Sequence, residues 1–105
     1  MGYISPSNKG KVNEIGAINE MKAGIWLLEQ GYHVFFNVMG TGPADLIAWC
    51  PKTDKTLKID VKTARRYQKQ DGTIHYNTSL GGLKNKKPHI TYLAICNEDN
   101  TFHWI

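Results

Sequence analysis

The sequence has little cysteine and no long apolar run, and each shortage excludes a class of protein. Its two cysteines, Cys50 and Cys96, lie in apolar segments and are expected to be buried, reduced thiols rather than a disulfide or a metal pair. The four histidines have no His-x-x-His spacing, so a zinc site is not expected. No segment approaches the roughly 18 apolar residues of a membrane span, and the N-terminus lacks the regions of a signal peptide. We therefore expect a cytoplasmic protein with no membrane partner.

The composition is that of a soluble globular domain. Hydrophobic residues make up 41% and charged residues 21% of the 105 residues. This balance excludes a disordered tail or a collagen-like repeat. Domains usually contain about 50 to 250 residues, so we expect a single domain over residues 1–105.

Positive charge is concentrated in one part of the chain. Residues 61–97 contain seven Lys or Arg residues and one acid, a net charge of +6, whereas the rest contains six cations and eight acids, a net charge of −2. The asymmetry favours a polyanionic partner, although a lysine-rich loop can also serve solubility alone.

The first long pattern predicts a helix over residues 10–30. Apolar side chains recur at spacings of three and four residues, which is typical of an amphipathic helix, and Gly31 fits a C-terminal stop. The apolar positions are Ile15, Ile18, Met21, Ile25 and Leu28.

After Gly31 the sequence changes to short runs rich in β-branched and aromatic residues, which are typical of strands. Strands are predicted at residues 32–38, 45–50, 56–62, 74–79, 90–96 and 101–105. Residues 81–88 are predicted to form a loop or a short helical turn. The fold class is therefore α/β (α+β), with the N-terminal helix packed on a mixed central β-sheet.

Two acids, Asp45 and Asp60, occur where packing alone would not place a carboxylate. Asp60 and Lys62 interrupt an apolar strand and, because side chains alternate along a strand, project from one face of it. A hairpin turn near residues 52–53 pairs positions whose numbers sum to about 105 to 107. Asp45 then falls opposite Asp60 or Lys62.

A third carboxylate, that of Glu20, comes from the helix. Its helical neighbours are mostly small and permit close approach to the sheet; they are Gly16, Ala17, Ala23, Gly24 and Leu27. Three converging carboxylates repel one another, and the usual remedy is a hard divalent cation, Mg²⁺ or Mn²⁺. Taken singly, each residue has a simpler interpretation, as a helix-surface acid, a turn residue or a strand ion pair.

In this order, the acids and the lysine resemble the PD-(D/E)XK nuclease superfamily, which includes restriction endonucleases, archaeal-type Holliday junction resolvases and some intron-encoded homing endonucleases. The matching segments are Asn19-Glu20-Met21, Gly42-Pro43-Ala44-Asp45-Leu46 and Lys58-Ile59-Asp60-Val61-Lys62. The sequence departs from the family where Ala44 separates Pro43 from Asp45. The resemblance implies a restriction-endonuclease-like core.

The resemblance also implies a catalytic site made of Glu20, Asp45, Asp60 and Lys62. In the family the three acids hold one or two Mg²⁺ ions, for which Mn²⁺ can substitute. The Val61 carbonyl completes the shell, and Glu20 binds directly or through water. The lysine orients the attacking water and stabilises charge. The implied chemistry is hydrolysis of DNA phosphodiester bonds.

Around that site, a set of basic residues is expected to neutralise DNA phosphates. They are Lys9, Lys11, Arg65, Arg66, Lys69, Lys84, Lys86 and Lys87. A DNA partner implies a nucleoid-associated location. Symmetric cutting of two strands implies a homodimer, or a tetramer, formed through the Phe35-Phe36 strand or the C-terminal strand.

The leading interpretation is a metal-dependent endodeoxyribonuclease that selects branched DNA, as Holliday junction resolvases do, because so short a chain has little surface for reading bases. Three alternatives stay open. They are a homing or restriction-like endonuclease that cuts a duplex site, a non-catalytic DNA-binding module of the same fold, and a protein-interaction domain.

Overall fold

The computed structural model describes residues 8–78 and 86–105, and of residues 8–13 it describes the backbone alone. Within these ranges a helix, α1 (Asn8–Glu29), precedes six strands. They are β1 (His33–Phe36), β2 (Leu46–Cys50), β3 (Lys55–Gln68), β4 (Ile74–Thr78), β5 (Thr91–Cys96) and β6 (Thr101–Trp104). The predicted helix and the six predicted strands are all present.

The strands form one sheet in the order β1-β2-β3-β5-β6, with β4 paired to β3. The β3–β5 ladder is parallel and the other ladders are antiparallel. The predicted fold class, a helix packed on a mixed sheet, is therefore confirmed.

Strand β3 is twice as long as the sequence predicts. Its first part pairs with β2, its middle part with β5 and its last part with β4. The prediction ended at Lys62 because residues 65–68 are polar and exposed. That segment is a strand because β4 satisfies its backbone hydrogen bonds. Its side chains do not alternate between apolar and polar, so hydrophobic periodicity could not indicate it.

Helix α1 ends where the sequence predicts. Gly31 has a positive φ of 95°, which glycine adopts without steric cost. The Tyr32 amide donates to the Leu27 carbonyl and the Gly31 amide to the Leu28 carbonyl, both at 3.0 Å. This is the Schellman arrangement of helix ends, and it directs the chain into β1.

The core lies between α1 and the sheet. From the helix, Ala23 and Leu27 are completely buried. They pack against aliphatic side chains of three strands, namely Leu46, Ala48, Ile59, Leu93 and Ile95. We call the side of α1 that faces the sheet its inner face; it includes Gly16, Asn19, Glu20, Ala23, Gly24 and Leu27.

The apolar positions that predict α1 do not face the sheet. Their exposed fractions run from 43% to 62%. We call this set the outer stripe; it consists of Ile15, Ile18, Met21, Ile25 and Leu28. The inner face lies so close to β1 that a Cβ atom on Gly24 would come within 2.5 Å of the Phe36 ring. A large side chain cannot occupy the position of Gly24, and apart from Leu27 the large aliphatic side chains described in α1 lie on the opposite side of the helix.

Other predictions have mixed outcomes. Cys96 is buried and Cys50 half-buried, and both are free thiols. Residues 79–85, which hold most of the predicted 81–88 loop, lie outside the described residues. Between residues 8 and 78 and between 86 and 105, no helix combines the length and apolarity that crossing a membrane requires.

Candidate functional site

The β2–β3 hairpin places two of the predicted acids opposite each other. Its ladder pairs Leu46 with Ile59, so one step further along the strands Asp45 faces Asp60. The Asp45 amide donates to the Ile59 carbonyl at 2.8 Å. Its carboxylate Oδ2 accepts a hydrogen bond from the Val61 amide at 2.7 Å. Backbone contacts therefore fix the Asp45 carboxylate at the end of the hairpin.

The loop before Asp45 is organised by Asn37, a residue that the sequence analysis did not single out. The Asn37 side-chain amide donates to the Thr41 and Ala44 carbonyls at 2.6 and 3.0 Å. Its Oδ1 accepts from the amides of Met39 and Gly40. The Asn37 backbone amide also bonds to the Asp45 carbonyl at 3.0 Å. These bonds close residues 37–45 into a fixed loop that ends at the acid.

Lys62 lies beside Asp60 in β3. Its Nζ is 3.5 Å from Asp60 Oδ2, and the two side chains are 28% and 21% exposed. The carboxylate and the ammonium share one face of the strand, as alternation predicts. A positive charge is thus held next to the acid pair.

Glu20 reaches the same place from the inner face of α1. Burial raises the pKa of Glu20 above its usual value, and the negative charge of Asp45, a hydrogen bond with Asp45 and the charge of Asp60 raise it further. Like charges disfavour ionisation in this way only at short range. The helix therefore brings its carboxyl group against the hairpin acids.

Asp60 is perturbed in the same direction. Burial is the largest cause that raises the pKa of Asp60; Lys62 acts against it, and the charge of Asp45 and a hydrogen bond with Asp45 add to the rise. The net effect is a pKa above the usual value. Asp45 is thus the acid whose nearby charge raises the pKa of both Glu20 and Asp60.

A hydrogen bond between two carboxyl groups requires a proton, since ionised carboxylates only accept. A bound cation would instead allow both carboxyl groups to be ionised side by side. In the described part of the chain, however, no group of three or more His, Cys, Asp or Glu side chains is arranged to hold a metal ion.

This donor set fits Mg²⁺ better than a metal that needs a complete protein shell. Mg²⁺ prefers oxygen ligands, keeps several waters and is usually held by one or two carboxylates together with substrate phosphates. Asp45 and Asp60 supply such a pair.

Asn19 is a functional candidate to which the sequence analysis gave no role. It is 1% exposed, and its Nδ2 donates to Thr63 Oγ1 at 2.8 Å. Asn19 precedes Glu20 in the helix, and Thr63 follows Lys62 in β3. Their hydrogen bond therefore joins the helix to the strand next to two predicted catalytic residues. Its Oδ1 is buried and has no hydrogen-bond partner among the described residues. The sequence feature that could have identified Asn19 is its polar side chain among the small residues of the inner face.

Beyond the acids, β3 carries the two predicted DNA-binding arginines. Arg65 pairs with Asn77 across the β3–β4 ladder. A groove of about 380 Å³ lies there, and its lining residues are Thr63, Arg65, Asn77 and Thr78. The groove follows the strand that carries Asp60 and Lys62.

Arg66 has structural partners. Its Nε lies 3.7 Å from Asp99 Oδ2. Asp99 also accepts hydrogen bonds from Thr101 and Tyr76 at 2.6 and 2.8 Å. These hydrogen bonds, that of Thr101 foremost, lower the pKa of Asp99 to about 2. Arg66 therefore shares its charge with an acid of the β5–β6 turn.

The remaining predicted DNA-binding residues are spread over three places. Lys69 lies in the β3–β4 turn, and Lys86 and Lys87 lie just before β5. The backbone places Lys9 and Lys11 at the start of α1, and Lys84 lies outside the described residues. Arg65 lies three residues beyond Lys62 in β3 but, by alternation, on the other face of the strand, and the structure does not gather all eight into one patch.

No protein-family model and no curated protein matches the sequence. Among solved structures, the chain is similar to a bacterial homing endonuclease, I-Ssp6803I, with a TM-score of 0.64 and 20% sequence identity. The alignment covers 96% of this chain and 66% of that one, so this chain spans slightly less than two thirds of its neighbour's length. The chain therefore has a nuclease-like fold.

Proposed function

We propose that this chain is a Mg²⁺-dependent DNA endonuclease of the PD-(D/E)XK type. The observation that carries the proposal is the placement of Asp45 opposite Asp60 at the end of the β2–β3 hairpin, with the Lys62 Nζ 3.5 Å from Asp60 and Glu20 near enough for Asp45 to raise its pKa. Burial and the neighbouring Asp45 raise the pKa of Glu20 and of Asp60, and such an acid cluster beside a lysine is costly for a purely structural role. The fold shared with a homing endonuclease supports the same conclusion.

Asp45 and Asp60 would hold the Mg²⁺ ion, for which Mn²⁺ would substitute, with the Val61 carbonyl beside them and Glu20 binding directly or through water. When bound, the ion would polarise the scissile phosphate and lower the pKa of a water molecule.

The chain's own residues would do the rest. The Lys62 ammonium, held beside Asp60, would orient the attacking water and offset the negative charge that develops on the phosphate. Because the Lys62 Nζ lies 3.5 Å from Asp60 Oδ2, we assign it orientation and charge stabilisation rather than proton abstraction. The Asn19–Thr63 hydrogen bond would hold Glu20 in place while DNA binds.

DNA would lie along β3. Arg66, on the face of β3 that carries Asp60 and Lys62, would contact the phosphates next to the acids, and Arg65 and Lys69 would contact those at the other face and further along the hairpin. Lys86 and Lys87, with Lys9, Lys11 and Lys84, would contribute longer-range attraction. Affinity carried by phosphate contacts falls steeply with salt.

The similarity to a homing endonuclease favours a duplex site as the substrate. A branched junction is the second candidate, because a nuclease can recognise the shape of DNA without reading a long sequence. Either substrate requires two cuts, hence a homodimer or a tetramer. Such an enzyme would act in the cytoplasm on the nucleoid, with no membrane partner.

The test is plasmid cleavage with and without Mg²⁺, comparing the wild type with Asp60→Asn. We expect the substitution to reduce cleavage by at least about 100-fold, because it removes a ligand charge from the site. Asp71→Asn, in the exposed β3–β4 turn, is the matched control and should cut like the wild type.

A folded wild type that binds DNA in a salt-dependent way but never cuts would leave a non-catalytic binding module of the same fold. A wild type without salt-sensitive DNA affinity would leave a protein-interaction domain. Matched four-way junction and linear duplex substrates would then identify the preferred DNA.

A further inference from the structure

The outer stripe of α1 is an apolar surface that the fold does not use. Within it, Ile18, Met21, Ile25 and Leu28 follow one another at spacings of three, four and three residues. Side chains with this spacing are neighbours along one line of a helix. Each is at least half exposed. The largest apolar patch of a monomeric protein is often functional, and this line of aliphatic side chains is therefore a candidate contact surface.

A groove lies beside the outer stripe. It measures about 170 Å³ and is lined by Ile25, Trp26 and Phe102, with Lys22 and Glu29 at its sides. The rings of Trp26 and Phe102 stack with their centroids 4.9 Å apart, which gives the groove a firm wall. It is an apolar recess next to apolar projections, flanked by one positive and one negative charge.

The charges of Lys22 and Glu29 indicate that the partner of this surface is a second copy of α1. Lys22 and Glu29 are seven residues apart, or about two helical turns, and therefore lie on the same side of α1. Ile25 lies between them. An antiparallel copy of α1 centred beside Ile25 brings each Lys22 opposite Glu29 of the second copy. A parallel, in-register copy would instead bring like charges together. The surface is thus complementary to itself in one orientation.

The available area agrees with this occupant. A standard interface buries about 800 Å² per partner, somewhat more than half of it apolar. The half-exposed side chains of the outer stripe provide on the order of 300 Å² of apolar surface. The walls of the groove and the aliphatic parts of Lys22 and Glu29 extend that surface.

We infer that the outer stripe of α1 binds the outer stripe of a second copy of this chain, antiparallel, with reciprocal ion pairs between Lys22 and Glu29. This inference goes beyond the proposed function and differs from the strand interfaces that the sequence suggested. Lys22 donates to Asn97 at 3.2 Å, and an ammonium has further donors for a second acceptor. Because the outer stripe lies opposite the inner face, the pairing leaves Glu20 and both acid sites uncovered.

Reversing the two charges tests the inference. Association is measured by sedimentation equilibrium, without DNA or Mg²⁺, so that its result is independent of nuclease activity. We expect a dimer for the wild type. Lys22→Glu and Glu29→Lys should each weaken association by at least about 10-fold, since each creates two like-charge contacts. The double variant should return to within about 3-fold of the wild type. Asn97→Ala, which removes only the internal partner of Lys22, should leave association unchanged.

Apolar substitutions give a second, independent measurement. Ile25→Glu should abolish the dimer, whereas Ile74→Glu, at a position 41% exposed in β4, should not. Phe35→Glu tests the alternative interface at β1, where Phe35 is 57% exposed, and should also leave the dimer intact. Circular dichroism confirms that each variant folds.

Three results would overturn the inference: a monomeric wild type at about 100 μM, a double charge variant that fails to regain association, or a dimer that Phe35→Glu dissociates and Ile25→Glu does not. The charge variants decide the outcome if Ile25→Glu fails to fold.

Discussion

The inner and outer faces of α1 divide the properties that an amphipathic helix usually combines. The outer stripe carries the large aliphatic side chains and is exposed. The inner face carries glycine, alanine, Leu27, Asn19 and Glu20, and it packs on the sheet. The difference shows that Glu20 lies on the face where mostly small residues allow the helix to come close to the sheet. Apart from Leu27, the large aliphatic side chains described in α1 instead form the outer stripe, which the fold leaves exposed.

The strongest test of this comparison uses two adjacent leucines. Leu27 is completely buried and Leu28 is 58% exposed. We expect Leu27→Ala to lower the free energy of unfolding by about 2 to 5 kcal/mol, because it leaves a cavity. Leu28→Ala should change it by less than about 0.5 kcal/mol. Urea unfolding at concentrations where the chain is monomeric measures both, and equal losses would contradict the assignment of faces.

The polar contact of the inner face is tested by Thr63→Val, which preserves shape but removes the acceptor of Asn19. A buried donor left unsatisfied costs about 1 to 3 kcal/mol, and we expect a loss of unfolding free energy in that range. Thr56→Val, at an exposed position of the same strand, is the control and should be nearly neutral. A neutral Thr63→Val would show that the bond does not hold the helix in place.

Two glycines compare the closeness of packing along the inner face. A Cβ atom on Gly16 would meet nothing within 4 Å, whereas one on Gly24 would meet the Phe36 ring at 2.5 Å. Gly16→Ala should therefore stabilise the protein by up to about 1 kcal/mol through helix propensity. Gly24→Ala should show no such gain, because the ring must move. Thermal unfolding distinguishes them, and equal stabilisation would mean that the helix is not tightly packed there.

The smallest expected effect concerns the charge of Glu20. Its pKa is raised in the folded protein, so the folded state binds the proton more tightly than the unfolded state, whose value is about 4.3. The associated stability is present below about pH 4 and is lost as pH rises through the folded pKa. Without Mg²⁺, Glu20→Gln should thus be more stable than the wild type at pH 8. The gain should be below about 1 kcal/mol because Glu20 is only partly buried.

The same variant links stability to metal binding. For the wild type, the rise in melting temperature on adding Mg²⁺ should shrink as pH falls, since protons and the cation compete for the carboxylates. In Glu20→Gln that pH dependence should be weaker. A wild type that is more stable than Glu20→Gln at pH 8 would show that Glu20 is not repelled by its neighbours.

Much of the candidate site was predictable because it depends on local rules. The length of the β2–β3 turn determines the register, and the register places Asp45 opposite Asp60. Alternation then places Lys62 on the same face as Asp60. The small neighbours of Glu20 indicated a close approach of the helix to the sheet.

The rest depends on contacts between distant segments. Asn19 meets Thr63 across 44 residues, and Arg66 meets Asp99 in a turn whose position only the assembled sheet determines. Residues 65–68 join β3 because β4 returns alongside them. Helical periodicity predicts α1, but it does not say which side faces the sheet, and the largest side chains indicated the wrong one.

The unbroken course of β3 has a further consequence. Asp60, Lys62 and the two arginines belong to one strand, and a strand advances roughly 3.3 Å per residue. Arg66 is therefore held about 13 Å from Lys62 along the strand, with no joint between them. In the proposed enzyme, β3 would fix the distance between the phosphodiester that is cut and the DNA phosphates that the arginines bind. Inserting one residue there would turn the downstream side chains to the other face, so this span would tolerate no change in length.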